Sequence, residues 1–197
     1  MYGVFPADRP AGLRRRSIPA GVEWWRLDNA APNTWTWGGF PTPRYRFDPA
    51  SGLFRVRYAA QSLHGAARER YLDAGRFIPA DHASHRLVRL VSTRALRVLD
   101  LRTEANLTAL DVDDRVNTSH DPIVWDACHR LADSVQAWWP ADIDGIVYRS
   151  RTTPQTSLSL AFFSLGGLQA TSWALSTRTA ELDELILSHN FTVGVPY

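Results

Sequence analysis

Apolar and polar side chains alternate along residues 54–60. One face of this segment carries Phe54, Val56, Tyr58 and Ala60, and the other carries mainly arginine. This period of two predicts a half-buried strand. Further strands are predicted at residues 21–27, 86–93, 95–101, 144–150 and 157–164, and near 170–178 before a short terminal segment.

A helical period appears in two longer segments. Residues 121–139 place apolar side chains on a single stripe, which predicts the longest helix. Ser62 is a suitable N-cap for a second helix that we expect to end at Gly75. A short helix is also expected near residues 103–110.

The order of these elements predicts the fold class. The strands occur in hairpin-like groups, and few of them are separated by a full crossover helix. This favours a mixed α+β fold over a doubly wound parallel sheet. Residues 1–21 are expected to form an N-terminal arm that is poorly ordered or wraps the periphery. Residues 22–197 are expected to form one domain, in which the aromatic-rich loop 28–43 is a lid or a pocket wall.

Composition and charge exclude several classes of function. The 197 residues include 22 basic and 20 acidic side chains, a balance too even to indicate nucleic-acid binding. Every basic side chain except histidine is an arginine, which binds carboxylate or phosphate through two parallel hydrogen bonds. Cys128 is the only cysteine, so no disulfide framework is expected, and its place in a helix predicts a buried structural thiol. No apolar run is long enough to span a membrane and no signal peptide is evident, so a cytoplasmic location is predicted.

Familiar metal and nucleotide motifs are missing from the sequence. No glycine-rich dinucleotide or P-loop motif is present. His82 and His85 lie three residues apart but lack an apparent third ligand, and residues 111–114, "DVDD", lack the glycine and closing glutamate of a calcium loop. No metal site and no cofactor are therefore predicted.

Four side chains remain as candidates for chemistry, although each also has an ordinary structural explanation. Glu69 lies among small residues on its helix face, which suits either a solvated charge or a carboxylate on a pocket floor. Arg46 precedes a turn, Tyr58 lies on the apolar face of its strand, and Ser150 ends a strand. Taken singly, Glu69 and Arg46 are first interpreted as solvated charges and Tyr58 as a core side chain, while the position of Ser150 fits either a site or an ordinary turn.

Taken in order, these segments resemble the RES domain, a family named for its arginine, glutamate and serine. The matching stretches are "WWRL", "RFDP", "VRYAAQSLHGAARER" and "DGIVYRS" followed by "SLSLAFF", which together cover about residues 22–165. The family's usual Gly-Gly-Arg-Trp-Asn form is replaced here by "PRYRFDP". The resemblance implies a split mixed sheet with flanking helices, similar to ADP-ribosyltransferases, around a cleft that binds NAD.

The resemblance also implies an activity and site residues. By this resemblance, the residues expected to be catalytic are Glu69, Arg46 and Ser150. The residues expected to bind substrate are Arg26, Arg46, Tyr58 and Tyr148. The implied reaction is cleavage of NAD between nicotinamide and ribose, with NAD as substrate rather than cofactor and with water, phosphate or a protein as acceptor.

The implied setting is that of a toxin paired with an Xre-type helix-turn-helix antitoxin, without membrane or direct nucleic-acid partners. Two alternatives are an ADP-ribosyltransferase that modifies a protein and a non-catalytic nucleotide-binding module of the same fold. A nucleic-acid binder that uses the arginine-rich leader is a further alternative, which the even charge balance disfavours.

Overall fold

The computed structural model describes residues 3–71, 74–150, 152 and 157–194. These residues form ten strands: β1 (Arg15–Ile18), β2 (Glu23–Asp28), β3 (Arg57–Ala60), β4 (Phe77–Pro79), β5 (Arg86–Ser92), β6 (Leu96–Asp100), β7 (Gly145–Arg149), β8 (Leu158–Phe162), β9 (Leu168–Ala174) and β10 (Thr192–Gly194).

Five α-helices accompany the strands: α1 (Leu63–Tyr71), α2 (Glu104–Ala109), α3 (Arg115–Thr118), α4 (Pro122–Trp138) and α5 (Thr179–His189). Three short 3-10 turns occupy Pro32–Thr34, Ala80–Ser84 and Leu175–Thr177. Within the described residues, no helix combines the length and the apolar character that crossing a lipid bilayer requires.

Eight strands form one mixed sheet, in the order β1-β6-β7-β8-β3-β2-β5-β9, while β10 and β4 form a separate parallel pair. In the large sheet only β6 and β7 run parallel, as far as the described residues show. In the same part of the chain, β2 and β3 pair at a single position, Trp25 with Ala60, whereas β2 pairs with β5 along its whole length. The sheet is therefore split between β2 and β3, and a gap opens where these strands diverge.

The two faces of the sheet and the α1 helix bury separate apolar clusters. Helix α4 packs its predicted stripe, which includes Leu131 and Val135, against one face. The opposite face buries Trp24, and the third cluster joins α1 to α5 through residues such as Tyr71 and Leu185. The predicted α+β class, with a split mixed sheet and flanking helices, is confirmed.

The elements β1, β4, α3 and α5 were not expected from the sequence. The segment after β9 was predicted to continue as strand and a short terminal segment, but it forms α5. This helix fully buries only Leu185 and leaves Leu187 80% exposed, so its sequence lacks a clear apolar stripe. Within the predicted arm, β1 exposes its arginines and is held by backbone pairing to the edge of β6. The predicted helix end at Gly75 follows residues 72–73, which lie outside the described part of the chain.

A stacked histidine pair joins α1 to α5 and gives a pH-dependent prediction. The rings of His64 and His189 lie 3.8 Å apart at an interplanar angle of 5°. Burial, and then the charges of His189, Arg68 and Arg76, lower the pKa of His64 to about 4. Between about pH 6.5 and pH 4, His64 is therefore protonated in the unfolded chain but still neutral in the folded chain. The fold is therefore expected to lose stability across that window.

Replacing His64 by Gln should remove part of this acid sensitivity. Thermal unfolding of both proteins at pH 7.5, 5.5 and 4.5 is the measurement, and we expect the melting temperature of the variant to fall less on acidification. Parallel pH profiles for parent and variant would contradict the prediction.

Candidate active site

A cleft of about 470 Å³ lies where β2 and β3 diverge. Its walls come from residues 25–28 of β2, the whole of β3, the face of α1 that carries Glu69, and the turn at residues 44–46. Phe40 also lines it, so the aromatic-rich loop 28–43 contributes to the wall. The split in the sheet thus creates a cavity of a size typical for small-molecule ligands.

The Glu69 carboxylate is held by two hydroxyl groups from another part of the chain. Ser150 Oγ donates to Glu69 Oε1 at 2.7 Å, and Thr152 Oγ1 donates to the same oxygen at 3.2 Å. Ser150 is fully buried at the end of β7, whereas Glu69 lines the cleft. Both of these bonds go to Oε1, and no described residue donates a hydrogen bond to Glu69 Oε2.

Small residues allow α1 to approach the sheet closely enough for this contact. A Cβ atom added at Gly65 would lie 2.3 Å from Ser157 Oγ and 3.1 Å from Ala60 Cβ. A larger residue at Gly65 would push the helix, and Glu69 with it, away from Ser150. The small residues noted around Glu69 in the sequence therefore serve close helix–sheet packing.

Arg46 is buried beside the cleft and ties its wall to α3. Its two terminal nitrogens donate to the carbonyl oxygens of Val116, at 3.0 Å, and Ser119, at 2.8 Å. The guanidinium also lies over the ring of Trp125, 5.6 Å from the ring centre. Each terminal nitrogen carries a second N–H, so Arg46 can contact a ligand from a fixed position.

Asp48 connects the turn at residues 44–48 to Tyr58. One carboxylate oxygen accepts the backbone N–H groups of Arg44 and Tyr45, both at 2.9 Å, and the other accepts the Tyr58 hydroxyl at 3.0 Å. Burial, reinforced by the Asp48 charge, raises the pKa of the Tyr58 hydroxyl well above its usual value. Tyr58 therefore stays protonated and fixes the turn against β3.

Beyond their single paired position, β2 and β3 are bridged by charged side chains. Arg26 donates to Asp28 at 2.7 Å and to the Tyr58 carbonyl oxygen at 2.7 Å, while Arg57 donates to Asp28 at 3.5 Å. Arg57 also packs on the ring of Trp35, 4.5 Å from its centre. Burial, and then the charge of Arg26, lower the pKa of Arg57 to about 10. These contacts connect the two strands where their backbone pairing is missing.

The cleft carries an excess of positive charge. Among the described residues that line it, the acidic ones are Asp28 and Glu69, and the basic ones are Arg26, Arg44, Arg46, Arg55, Arg57 and Arg70. Arg55 stacks on Phe40, with its guanidinium carbon 3.7 Å from the ring centre. Stacking uses the face of the guanidinium and leaves its N–H edges for an anion.

The fold brings the residues selected from the sequence to one site. The cleft is lined by Arg26, Arg46, Tyr58, Glu69 and Tyr148. Ser150 is connected to the cleft by its hydrogen bond to Glu69.

Sequence reasoning missed several residues in or beside the cleft, among them Asp28, Asp48, Arg57 and Thr152. Asp48 lies in the "RFDP" segment and Asp28 follows a buried strand, so both had a positional signal. Nothing in the sequence around Arg57 or Thr152 indicated a role in the site.

The described residues contain no group of three or more side chains suited to hold a metal ion. His82 and His85 stack on each other instead. Cys128 is fully buried, as predicted, and burial raises the pKa of its thiol to about 12. The thiol is therefore inert at neutral pH.

The molecule is thus an α+β protein whose split sheet forms a cleft lined by arginines and by a glutamate that two hydroxyl groups hold. Comparison with protein families identifies it further, because residues 23–181 match the model of the RES domain. The chain belongs to the RES domain family.

Among solved structures, the fold is similar to a chain in the crystal structure of the M. tuberculosis MbcT–MbcA toxin–antitoxin complex. The TM-score is 0.57 at 19% sequence identity, and the match covers 83% of this chain and 90% of that chain. No curated protein sequence matches the chain.

Proposed function

We propose that this protein is an enzyme that cleaves the bond between nicotinamide and ribose in NAD, by hydrolysis or by phosphorolysis. The proposal depends on the Glu69 carboxylate, which the Ser150 hydroxyl holds at 2.7 Å on the wall of an arginine-rich cleft. NAD matches both features, because it carries an anionic diphosphate and develops positive charge on its ribose when the bond breaks.

The chemistry needs one carboxylate. When the C1′–N bond of the ribose breaks, its electron pair moves to the ring nitrogen, and nicotinamide leaves as a neutral molecule. No general acid is therefore required, unlike glycoside hydrolysis with two carboxylates. Glu69 stabilises the oxocarbenium-like ribose, and an oxygen of water or phosphate then bonds to C1′. With water the products are ADP-ribose, nicotinamide and a proton.

Ser150 and Thr152 act through Glu69 in this proposal. Their bonds to Oε1 fix the carboxylate, and we assign the contact with the ribose to Oε2. A carboxylate that is already oriented needs no rearrangement as positive charge develops, which is the basis of electrostatic catalysis. Tyr58 and Tyr148 provide aromatic surface in the same cleft for the nicotinamide ring.

The diphosphate is bound by guanidinium groups. We assign it to Arg26 and Arg46, with Arg55 as a further candidate because its stacked guanidinium keeps free edges. Charge-assisted bonds of this kind are the stronger class of hydrogen bond.

The direct test incubates purified protein with NAD and follows free nicotinamide, with and without phosphate. Hydrolysis should release nicotinamide together with ADP-ribose whether or not phosphate is present. Phosphorolysis should release nicotinamide together with phosphorylated ADP-ribose, and only when phosphate is present. Release coupled to a labelled protein would favour an ADP-ribosyltransferase. No release under any condition would contradict the proposal.

A biological role as toxin is part of the proposal. Its support is membership of the RES domain family and the similarity in fold to a chain from a toxin–antitoxin complex. We expect the protein to act in the cytoplasm, where it would deplete NAD and arrest growth until an Xre-type antitoxin binds it. Inducible expression in bacteria with measurement of cellular NAD tests this role. Normal growth at normal NAD content would contradict it.

A further inference from the structure

Ser159 on β8 has a buried hydroxyl that the fold itself does not use. The residue is 2% exposed and lines the cleft. Its Oγ has no hydrogen-bond partner among the described residues. Buried hydroxyl groups in folded proteins are normally paired, because an unpaired one destabilises the protein. An unpaired hydroxyl that borders a cleft therefore indicates a ligand group as its partner.

The strand register places this hydroxyl on the floor of the cleft. Ser159 pairs with Tyr148 on one side and with Ala60 on the other, so these three side chains form a row across one face of the sheet. Tyr58 lies two residues before Ala60 on the same face, and Ser150, which holds Glu69, lies two residues after Tyr148. Ser159 thus lies beside Tyr148, in the row between that of Tyr58 and that of Ser150, whose hydroxyl holds Glu69.

The surroundings of Ser159 select a neutral ligand group. Its neighbours in the row are a phenol and a methyl group, and Ala66 of α1 also lines the cleft. Arg57 alternates with Tyr58 along β3 and therefore belongs to the opposite face of that strand. A hydroxyl in neutral surroundings suits a carboxamide, with which it can donate or accept, better than it suits a phosphate.

We infer that the Ser159 hydroxyl binds the carboxamide of the nicotinamide ring and so orients the leaving group. This inference rests on the proposed function, and it assigns a specificity residue to that site. The bond would hold the ring against Tyr148 while the ribose C1′ lies toward Glu69.

The test compares the parent with Ser159→Ala. We expect the Kd and the KM for NAD to rise about 3- to 10-fold, the loss of one neutral hydrogen bond. For an NAD analogue that carries unsubstituted pyridine instead of nicotinamide, both proteins should give the same Kd. Without ligand, the variant should melt roughly 2–6 °C higher, because it no longer buries an unpaired hydroxyl.

Ser92→Ala is the matched control. Ser92 is also 2% exposed, but its hydroxyl accepts from the Val22 N–H at 2.9 Å and donates to the Pro19 carbonyl oxygen at 2.8 Å, away from the cleft. This variant should melt at a lower temperature than the parent and keep the parent's Kd for NAD.

The outcomes distinguish a failure of the inference from a failure of the proposed function. If the parent cleaves NAD and Ser159→Ala binds it equally well, the inference is overturned and the proposed function stands. If the parent binds NAD without cleaving it and the variant binds more weakly, the inference stands and the proposed activity fails. An equal loss with the pyridine analogue would overturn the carboxamide assignment. Failure of the parent to bind NAD would overturn both.

Discussion

Replacing Glu69 by Gln is expected to lower the rate of nicotinamide release by about 100- to 1,000-fold. The amide keeps the shape of the side chain, and its oxygen can still accept the Ser150 hydroxyl, so the fold should persist. What the variant loses is the negative charge opposite the positive ribose that forms as nicotinamide leaves. We therefore expect kcat to fall while the Kd for NAD stays within a few-fold, and the melting temperature to change little.

A matched control is Glu104→Gln on α2, an exposed glutamate outside the cleft, which should keep the parent's rate. Single-turnover measurement of nicotinamide release separates the chemical step from product release. A Glu69→Gln protein that retains more than about a tenth of the parent rate would show that the transition state does not depend on this charge. In growing bacteria, the same variant should relieve any arrest that the parent causes.

Replacing Asp48 by Ala is expected to produce the largest loss of stability, roughly 3–5 kcal/mol. Asp48 is 1% exposed, and its removal leaves two backbone N–H groups and the Tyr58 hydroxyl without their acceptor. The turn that carries Arg46 would lose its connection to β3. Urea unfolding measures the loss, and the KM for NAD should rise in parallel because the cleft wall moves.

Asp133→Ala is the control for this prediction. Asp133 holds a loop in the same manner, by accepting the N–H and the hydroxyl of Ser51, but these bonds are exposed to solvent. Its loss should cost less than about 1 kcal/mol, because water replaces the missing acceptor. Equal losses in the two variants would mean that burial does not determine the contribution of Asp48.

How far the sequence predicts a residue's role depends on how local that role is. The long helix α4 was predicted because its apolar stripe is a local pattern that matches its burial. The residues of the site were selected by resemblance, since their local patterns also fitted a protein core. Arg46 illustrates the difference: the sequence shows a cation before a turn, and only the fold shows its bonds to the Val116 and Ser119 carbonyl oxygens.

The sequence by itself determined the fold class, the positions of most strands and helices, and the set of side chains available for chemistry. This was possible because periodicity is a pattern among neighbouring positions and residue type belongs to a single position, so both are visible in the sequence alone. The tertiary structure decided where β2 and β3 separate, which hydroxyls hold Glu69, and that Ser159 lies unpaired on the cleft floor. These features join residues that are far apart in the chain, such as Thr152 and Glu69, which are 83 positions apart, so no local pattern contains them.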